Sequence, residues 1–92
     1  MLSHTTNDMP PDAEALALAA LAATLTDERR ARRFLDLTGL DAEELRARAG
    51  ERSLLAATLA FLEAHEPDLV AVAQAIGIKP ETLIAARTEL ER

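Results

Sequence analysis

The sequence predicts an all-α fold, a compact six-helix bundle, and three observations support this. Residues of the AVILMFWYC set make up 49% of the chain. Most are Ala and Leu, which favour helices, whereas the aromatic residues that favour strands are limited to Phe34 and Phe61. Apolar residues recur at helical spacing, and a glycine twice stands where a helix ends, at Gly39 and Gly77. A chain of 92 residues has room for one core. We therefore expect a single domain over residues 12–92, preceded by a mobile tail over residues 1–11.

The first two helices are predicted from their apolar faces and their caps. The first begins at Asp12, and Ala15–Leu25 is apolar on nearly every side, which is typical of a central, buried helix. Thr26 is the expected N-cap of the second helix. That helix should run to about Thr38 and end at Gly39, with arginines on the side opposite its apolar face.

The remaining helices follow from capping and proline signals. Asp41 with Glu44 is the pattern of a capping box, for a short third helix that ends at Gly50. Ser53 resembles an N-cap for the fourth helix, and Pro67 suits the first turn of the fifth. The last three helices are expected at Glu51–Ala64, Pro67–Ile76 and Pro80–Glu91.

An internal repeat relates the two halves of the chain. A shift of 38 residues places Gly39 on Gly77 and Leu45 on Leu83, together with several alanines and glutamates. Each half would contain three helices unable to bury their apolar faces alone. We therefore expect two similar three-helix units, 12–50 and 51–92, packed through the first and fourth helices.

Composition and motifs exclude several classes of function. The chain has no cysteine, which removes disulfides, thiolate metal sites and thiol nucleophiles. His65 has no second imidazole at ligand spacing, and no Gly-rich phosphate loop or nucleophile–base pair is present. We expect no enzymatic activity, no metal and no cofactor. Acidic residues before the apolar run argue against a secretory signal, and the run is too short to span a bilayer, so we expect a cytoplasmic protein without membrane attachment.

The densest charge feature is a group of arginines in the second and third helices. Seven of the ten basic residues lie between Arg29 and Arg52, in a chain whose net charge is −6. Such a group is either a solvated helix face, balanced by neighbouring carboxylates, or a docking face for an acidic or phosphorylated protein surface. As a docking face it would consist of Arg29, Arg30, Arg33, Arg46 and Arg48.

The two helices that meet at Gly77 resemble the helix-turn-helix of DNA-binding regulators. Val72–Leu90 has its apolar and glycine residues where that motif needs them. The exposed positions of its second helix would be Lys79, Glu81, Ile84, Ala85 and Thr88. They offer one cation and an apolar patch where base readout uses Arg, Lys, Asn or Gln. The net charge also disfavours nucleic acid. DNA binding through this face is therefore the alternative hypothesis, and a homodimer through Ile84 and Ala85 is a third.

Three segments in order resemble a family of small uncharacterised alphaproteobacterial proteins, domain of unknown function 3572. They are AEALALAALA, RFLDLTGLDAEELR and LLAATLAFLEAHEPDLVAVAQAIGIKPETLIAAR, which together cover nearly all of Asp12–Leu90. The resemblance implies no activity or catalytic residue. It implies a signalling or regulatory setting, because members of the family are often encoded beside a single-domain response regulator. The combined prediction is a non-enzymatic protein-interaction module, an adaptor or regulator in bacterial signalling, whose partner has an acidic surface such as that of a receiver domain.

Overall fold

The computed structural model describes residues 12–92, all of whose regular structure is helical. The predicted mobile tail, residues 1–11, lies outside the described residues. Six helices follow one another, as the sequence predicts. They are α1 (Ala13–Thr24), α2 (Glu28–Thr38), α3 (Ala42–Ala47), α4 (Arg52–Glu63), α5 (Glu66–Ile76) and α6 (Pro80–Leu90).

Four of the helices form the core, and α1 lies at its centre. α1 packs against α4, α5 and α6, which also pack against one another. Leu59, Leu62, Val72 and Leu83 are fully buried between them. α1 is not enclosed on every side, however, since Leu18 is 48% exposed. The predicted central position of the first helix is confirmed, because α1 contacts the three other core helices, but one face of α1 is open to solvent.

α2 and α3 lie at the periphery and contribute few side chains to the core. Only Phe34 of α2 and Leu45 of α3 are buried. The ring of Phe34 meets Phe61 of α4 edge to face, with the centroids 5.1 Å apart. Such a pair adds to the free energy gained from burial alone. Phe34 is therefore the main apolar attachment of α2 to the four-helix core.

The predicted repeat is not confirmed, because the two halves pack differently. In a symmetric arrangement α2 and α3 would pack on α4 as α5 and α6 pack on α1. The structure instead gathers α5 and α6 into the core and leaves α2 and α3 outside it. The sequence similarity thus extends to the order of local elements and not to their tertiary packing.

The glycine corners are confirmed. Gly39 and Gly77 both have left-handed backbone conformations, with φ of 74° and 77°, which cost glycine nothing and strain other residues. After Gly77 the amide of Ile78 donates to the carbonyl of Ala73 over 3.0 Å, which closes the end of α5. α5 and α6 meet at this corner with a bend of 99°.

Several predicted boundaries are corrected. The N-cap of α2 is Asp27, whose carboxylate accepts from the amide of Arg30, while the hydroxyl of Thr26 donates back to the carbonyl of Ala23. The capping box of Asp41 and Glu44 is present. α3 ends at Ala47, three residues before Gly50.

The start of α4 also differs from the prediction. The N-cap position belongs to Glu51, without a side-chain cap, and Ser53 lies inside the helix. Glu51 and Ser53 are two residues apart, and a sequence pattern locates a helix end only to within one or two residues.

No single helix in residues 12–92 is long and apolar enough to cross a bilayer; α5 and α6 satisfy that test only as a pair, across their bend.

Candidate functional site

The arginines of α2 divide between two sides of the helix. Arg29, Arg32 and Arg33 are exposed, whereas Arg30 lies towards Phe34 and the core. The side chain of Arg30 is only 12% exposed. The helical period explains this division, because residues 30 and 34 share the buried side of α2, and residues 29, 32 and 33 share the outer side.

Asp68, in the first turn of α5, holds two of these arginines. Arg33 donates to its Oδ2, and Nη1 of Arg30 lies 3.9 Å from its Oδ1. Arg30 also donates through Nη2 to the carbonyl of Ala23, at the end of α1, over 3.1 Å. The guanidinium carbon of Arg33 lies 5.6 Å from the ring centroid of Phe61, at cation–π distance. These contacts join α2 to α1, α4 and α5.

The contacts of Arg30 assign it a structural role. Its guanidinium is directed at the protein, and its Nε is buried without a hydrogen-bond partner. A side chain held in this way offers little surface to a partner. Arg30 belonged to the predicted docking face, and the structure places it behind that face.

Three other arginines have no ionic partner within the described residues. No carboxylate oxygen of residues 12–92 lies within 4.0 Å of the guanidinium of Arg29, Arg32 or Arg46. Arg48 by contrast pairs with Glu51 at 2.9 Å. The remaining ion pairs are Arg52–Glu14, Arg87–Glu63, Arg87–Glu91 and Arg92–Glu89. The unpaired guanidinium groups therefore all lie on α2 and α3.

An exposed leucine lies beside the outer side of α2, near the C-terminal end of the helix. Leu37 is 69% exposed, more than any other large apolar side chain of the described residues. It lies one turn after Arg33, and side chains four residues apart on a helix are neighbours. Glu28, Arg29, Arg32, Arg33 and Asp36 surround a shallow depression of about 460 Å³ on this side. We call these five residues together with Leu37 the α2 outer face.

Sequence reasoning missed part of the α2 outer face. Arg32 and Leu37 were not among the predicted docking residues, although the helical period places Arg32 opposite Phe34. Leu37 lies three residues after Phe34, on the apolar side by the same period, and its exposure is decided by the tertiary structure. The sequence around α2 does not indicate which arginines pair with Asp68, because Asp68 is more than thirty residues away along the chain.

The N-terminal end of the α2 outer face is fixed by its cap. The Asp27 carboxylate accepts a 2.9 Å hydrogen bond from the backbone N–H of Arg30. This bond, helped by the positive charges of Arg30 and Arg29, lowers the pKa of Asp27 below its ordinary value. The cap is therefore charged at neutral pH, which the positive end of the helix dipole also favours.

The second predicted surface, on α6, is exposed as expected. All five of its residues are partly or largely open to solvent: Lys79, Glu81, Ile84, Ala85 and Thr88. Its only cation is Lys79, and Glu81 lies in the first turn beside it. The surface is thus nearly neutral, with Ile84 as its apolar centre.

A groove of about 740 Å³ lies between the start of α1 and α6. Arg52 donates there to Glu14 over 2.9 Å and to the carbonyls of Leu90 and Glu89 over 3.1 and 3.0 Å. These bonds satisfy the last carbonyls of α6, which a helix end otherwise leaves unpaired. The groove contains no nucleophile beside a base. In residues 12–92 no three His, Cys, Asp or Glu side chains are arranged to hold a metal ion.

Comparison with known proteins identifies a family but no characterised relative. No curated protein and no solved structure matches the chain. A family described as protein of unknown function, DUF3572, matches residues 10–92. This match covers all six helices and both candidate surfaces, and the chain therefore belongs to the DUF3572 family.

Proposed function

We propose that the protein is a non-enzymatic helical module that binds another protein through the α2 outer face, as an adaptor or regulator in bacterial signalling. One observation carries the proposal. In a chain with net charge −6, the arginines that have no carboxylate partner within residues 12–92 are Arg29, Arg32 and Arg46, all on α2 and α3. A segregated group of guanidinium ions without direct ion pairs favours an acidic protein surface as the partner.

The architecture supports this use of α2. Phe34 and Arg30 fix the helix on the core from its inner side, and Arg33 adds a contact with Asp68 from the edge of the outer side. The other charged residues of the outer side, Glu28, Arg29, Arg32 and Asp36, are exposed to solvent. A partner therefore meets a rigid helix face, which lowers the conformational entropy lost on binding.

The charges and Leu37 would have different roles in the complex. Exposed guanidinium groups attract an acidic partner over several ångströms and orient its approach, which chiefly raises the association rate. An apolar side chain that becomes fully buried in an interface contributes more to affinity. We assign the first role to Arg29 and Arg32 and the second to Leu37. Arg46 extends the positive charge onto α3, while Arg48 is partly neutralised by Glu51.

A charge-reversal experiment tests the proposal. The full chain and the variant Arg29→Glu with Arg32→Glu are used to capture partners from a bacterial lysate, and the affinity of each purified partner, a receiver domain among them, is measured by calorimetry. The matched control is Lys79→Glu with Arg92→Glu, which changes the net charge by the same amount at the two ends of α6. We expect the first variant to lose binding at least tenfold with an unchanged melting temperature, and the control to bind as the native chain does. Equal binding by all three would exclude this face.

DNA binding through α6 is the second candidate, and the 99° bend between α5 and α6 favours it. Helix-turn-helix units join their helices at about 90–120°. The test is a gel shift at low salt with a mixed-sequence duplex, compared with the variant Lys79→Glu. Binding that disappears in that variant and weakens steeply with salt would support a regulator of transcription. Absence of a shift at low salt would exclude it. Light scattering on the same samples would detect a homodimer formed through Ile84 and Ala85.

A further inference from the structure

We infer that the partner of the α2 outer face carries carboxylates at the centre of its surface and cations at both ends, beside an apolar recess. The inference rests on the proposed function and specifies the partner's chemistry. Its starting point is the order of charges along the face. Glu28 comes first, Arg29, Arg32 and Arg33 follow, and Asp36 ends the series before Leu37.

The two acidic residues belong to the same surface as the arginines. Glu28 and Asp36 are eight residues apart, which is about 12 Å along a helix with a 1.5 Å rise per residue. Both line the depression that contains the three guanidinium groups. Neither lies within 4.0 Å of a cation of the described residues. The carboxylates therefore remain available to a partner, as do Arg29 and Arg32.

This order of charges discriminates between kinds of acidic partner. A uniformly anionic surface, such as a run of phosphates or of glutamates, would be attracted by the arginines and repelled at both ends of the face. A surface with a central acidic group and flanking cations is attracted along its whole length, and juxtaposed like charges are a common way for proteins to reject wrong partners. The flanking carboxylates thus favour a mixed-charge protein surface.

Leu37 adds an apolar requirement at a defined end. It follows Asp36 at the C-terminal end of the α2 outer face and is the most exposed large apolar side chain in residues 12–92. Burying it in a complex would remove apolar area from water. The matching partner therefore has its apolar recess next to the cation that faces Asp36.

A photocrosslinking experiment identifies the partner surface. p-Benzoylphenylalanine replaces Leu37 in the full chain, and the crosslinked peptides from lysate are sequenced and placed on their protein. The same amino acid at Val70, an exposed position on α5, is the control. We expect crosslinks specific to position 37, on a surface with an acidic centre and cations at both ends. Crosslinks no stronger than at position 70 would overturn the proposed function and this inference together. A position-37 crosslink to a surface lacking those cations would overturn the inference alone.

Neutralisation of the flanking carboxylates then tests the charge order with that purified partner. We expect Glu28→Gln with Asp36→Asn to weaken binding about three- to tenfold, through the loss of two exposed ion pairs. Arg29→Gln with Arg32→Gln should weaken it by a similar factor. Unchanged or tighter binding after loss of the carboxylates would overturn the inference, while weaker binding after loss of the arginines would still support the proposed function. Circular dichroism checks both variants, and Asp36→Asn alone carries the test if Glu28→Gln destabilises α2.

Discussion

Replacing Asp68 by asparagine should destabilise the protein far more than the loss of an ordinary surface charge. The Asp68 side chain is 12% exposed and contacts Arg30 and Arg33, which belong to a helix outside the core. Asparagine keeps the shape of the side chain and removes its charge. Arg30 would then be a nearly buried cation without a carboxylate partner, held by its hydrogen bond to the carbonyl of Ala23.

The magnitude follows from the burial of the three groups. Removing one partner of a buried ion pair costs 3–5 kcal/mol, because the other charge stays buried without compensation. Arg33 is 48% exposed and can turn to water, while Arg30 cannot. We therefore expect a loss of about 3 kcal/mol, near the lower end of that range. For a domain of this size this corresponds to a fall in the melting temperature of about 15 °C.

Urea unfolding followed by circular dichroism measures this loss. The matched control is Glu66→Gln, which removes a carboxylate from the same first turn of α5 and should cost below about 1 kcal/mol through the helix dipole alone. In the double variant with Arg30→Met the losses should not add, and the coupling energy should exceed about 1 kcal/mol. A loss for Asp68→Asn no larger than that of the control would refute the role given to this ion-pair cluster.

Three further predictions concern the packing of α2, the second corner and the cap of α2. Phe34→Ala should cost about 3–5 kcal/mol, since this ring is fully buried, whereas Leu37→Ala should change stability by less than about 0.5 kcal/mol; thermal unfolding distinguishes the two. Gly77→Ala should cost about 1–2 kcal/mol because φ is +77°, and Gly50→Ala, at a position without positive φ or close neighbours, should be neutral or stabilising in urea unfolding. The pKa of Asp27 is lowered in the folded protein, so the stability that its cap contributes is present above the pKa of the unfolded chain and is lost as the pH falls through the lower folded pKa. Amide hydrogen exchange in the first turn of α2 should accelerate over that pH range. The variant Asp27→Asn should show no such acceleration.

Most helix ends and caps could be predicted from the sequence. Gly39 and Gly77 end helices as predicted because a left-handed residue is required there, and few other residues adopt that conformation. The capping box of Asp41 and Glu44 involves residues three apart, so its geometry is contained in the pattern itself. Choices between neighbouring candidates failed, as at Thr26 and Asp27, because both side chains can accept a hydrogen bond and the backbone conformation decides which one does.

The sequence predicted where the candidate site lies, on the second and third helices, but not which residues form it. The concentration of arginine on the second and third helices is a fact of sequence, and the helical period separates an inner from an outer side of α2. Arg30 is nearly buried because it lies beside Asp68, and these two residues are close only because α5 packs near α2.

The sequence by itself determined the helices, their glycine corners and the segregation of arginine, because each depends on residues within about one helical turn of one another. Tertiary structure decided which helices form the core, which half of the apparent repeat lies outside it, and which arginines remain without a carboxylate. Those outcomes depend on contacts between residues far apart in the chain, where burial and ion pairing act together. An arginine that meets Asp68 stabilises the fold, and one that meets only water is available to a partner.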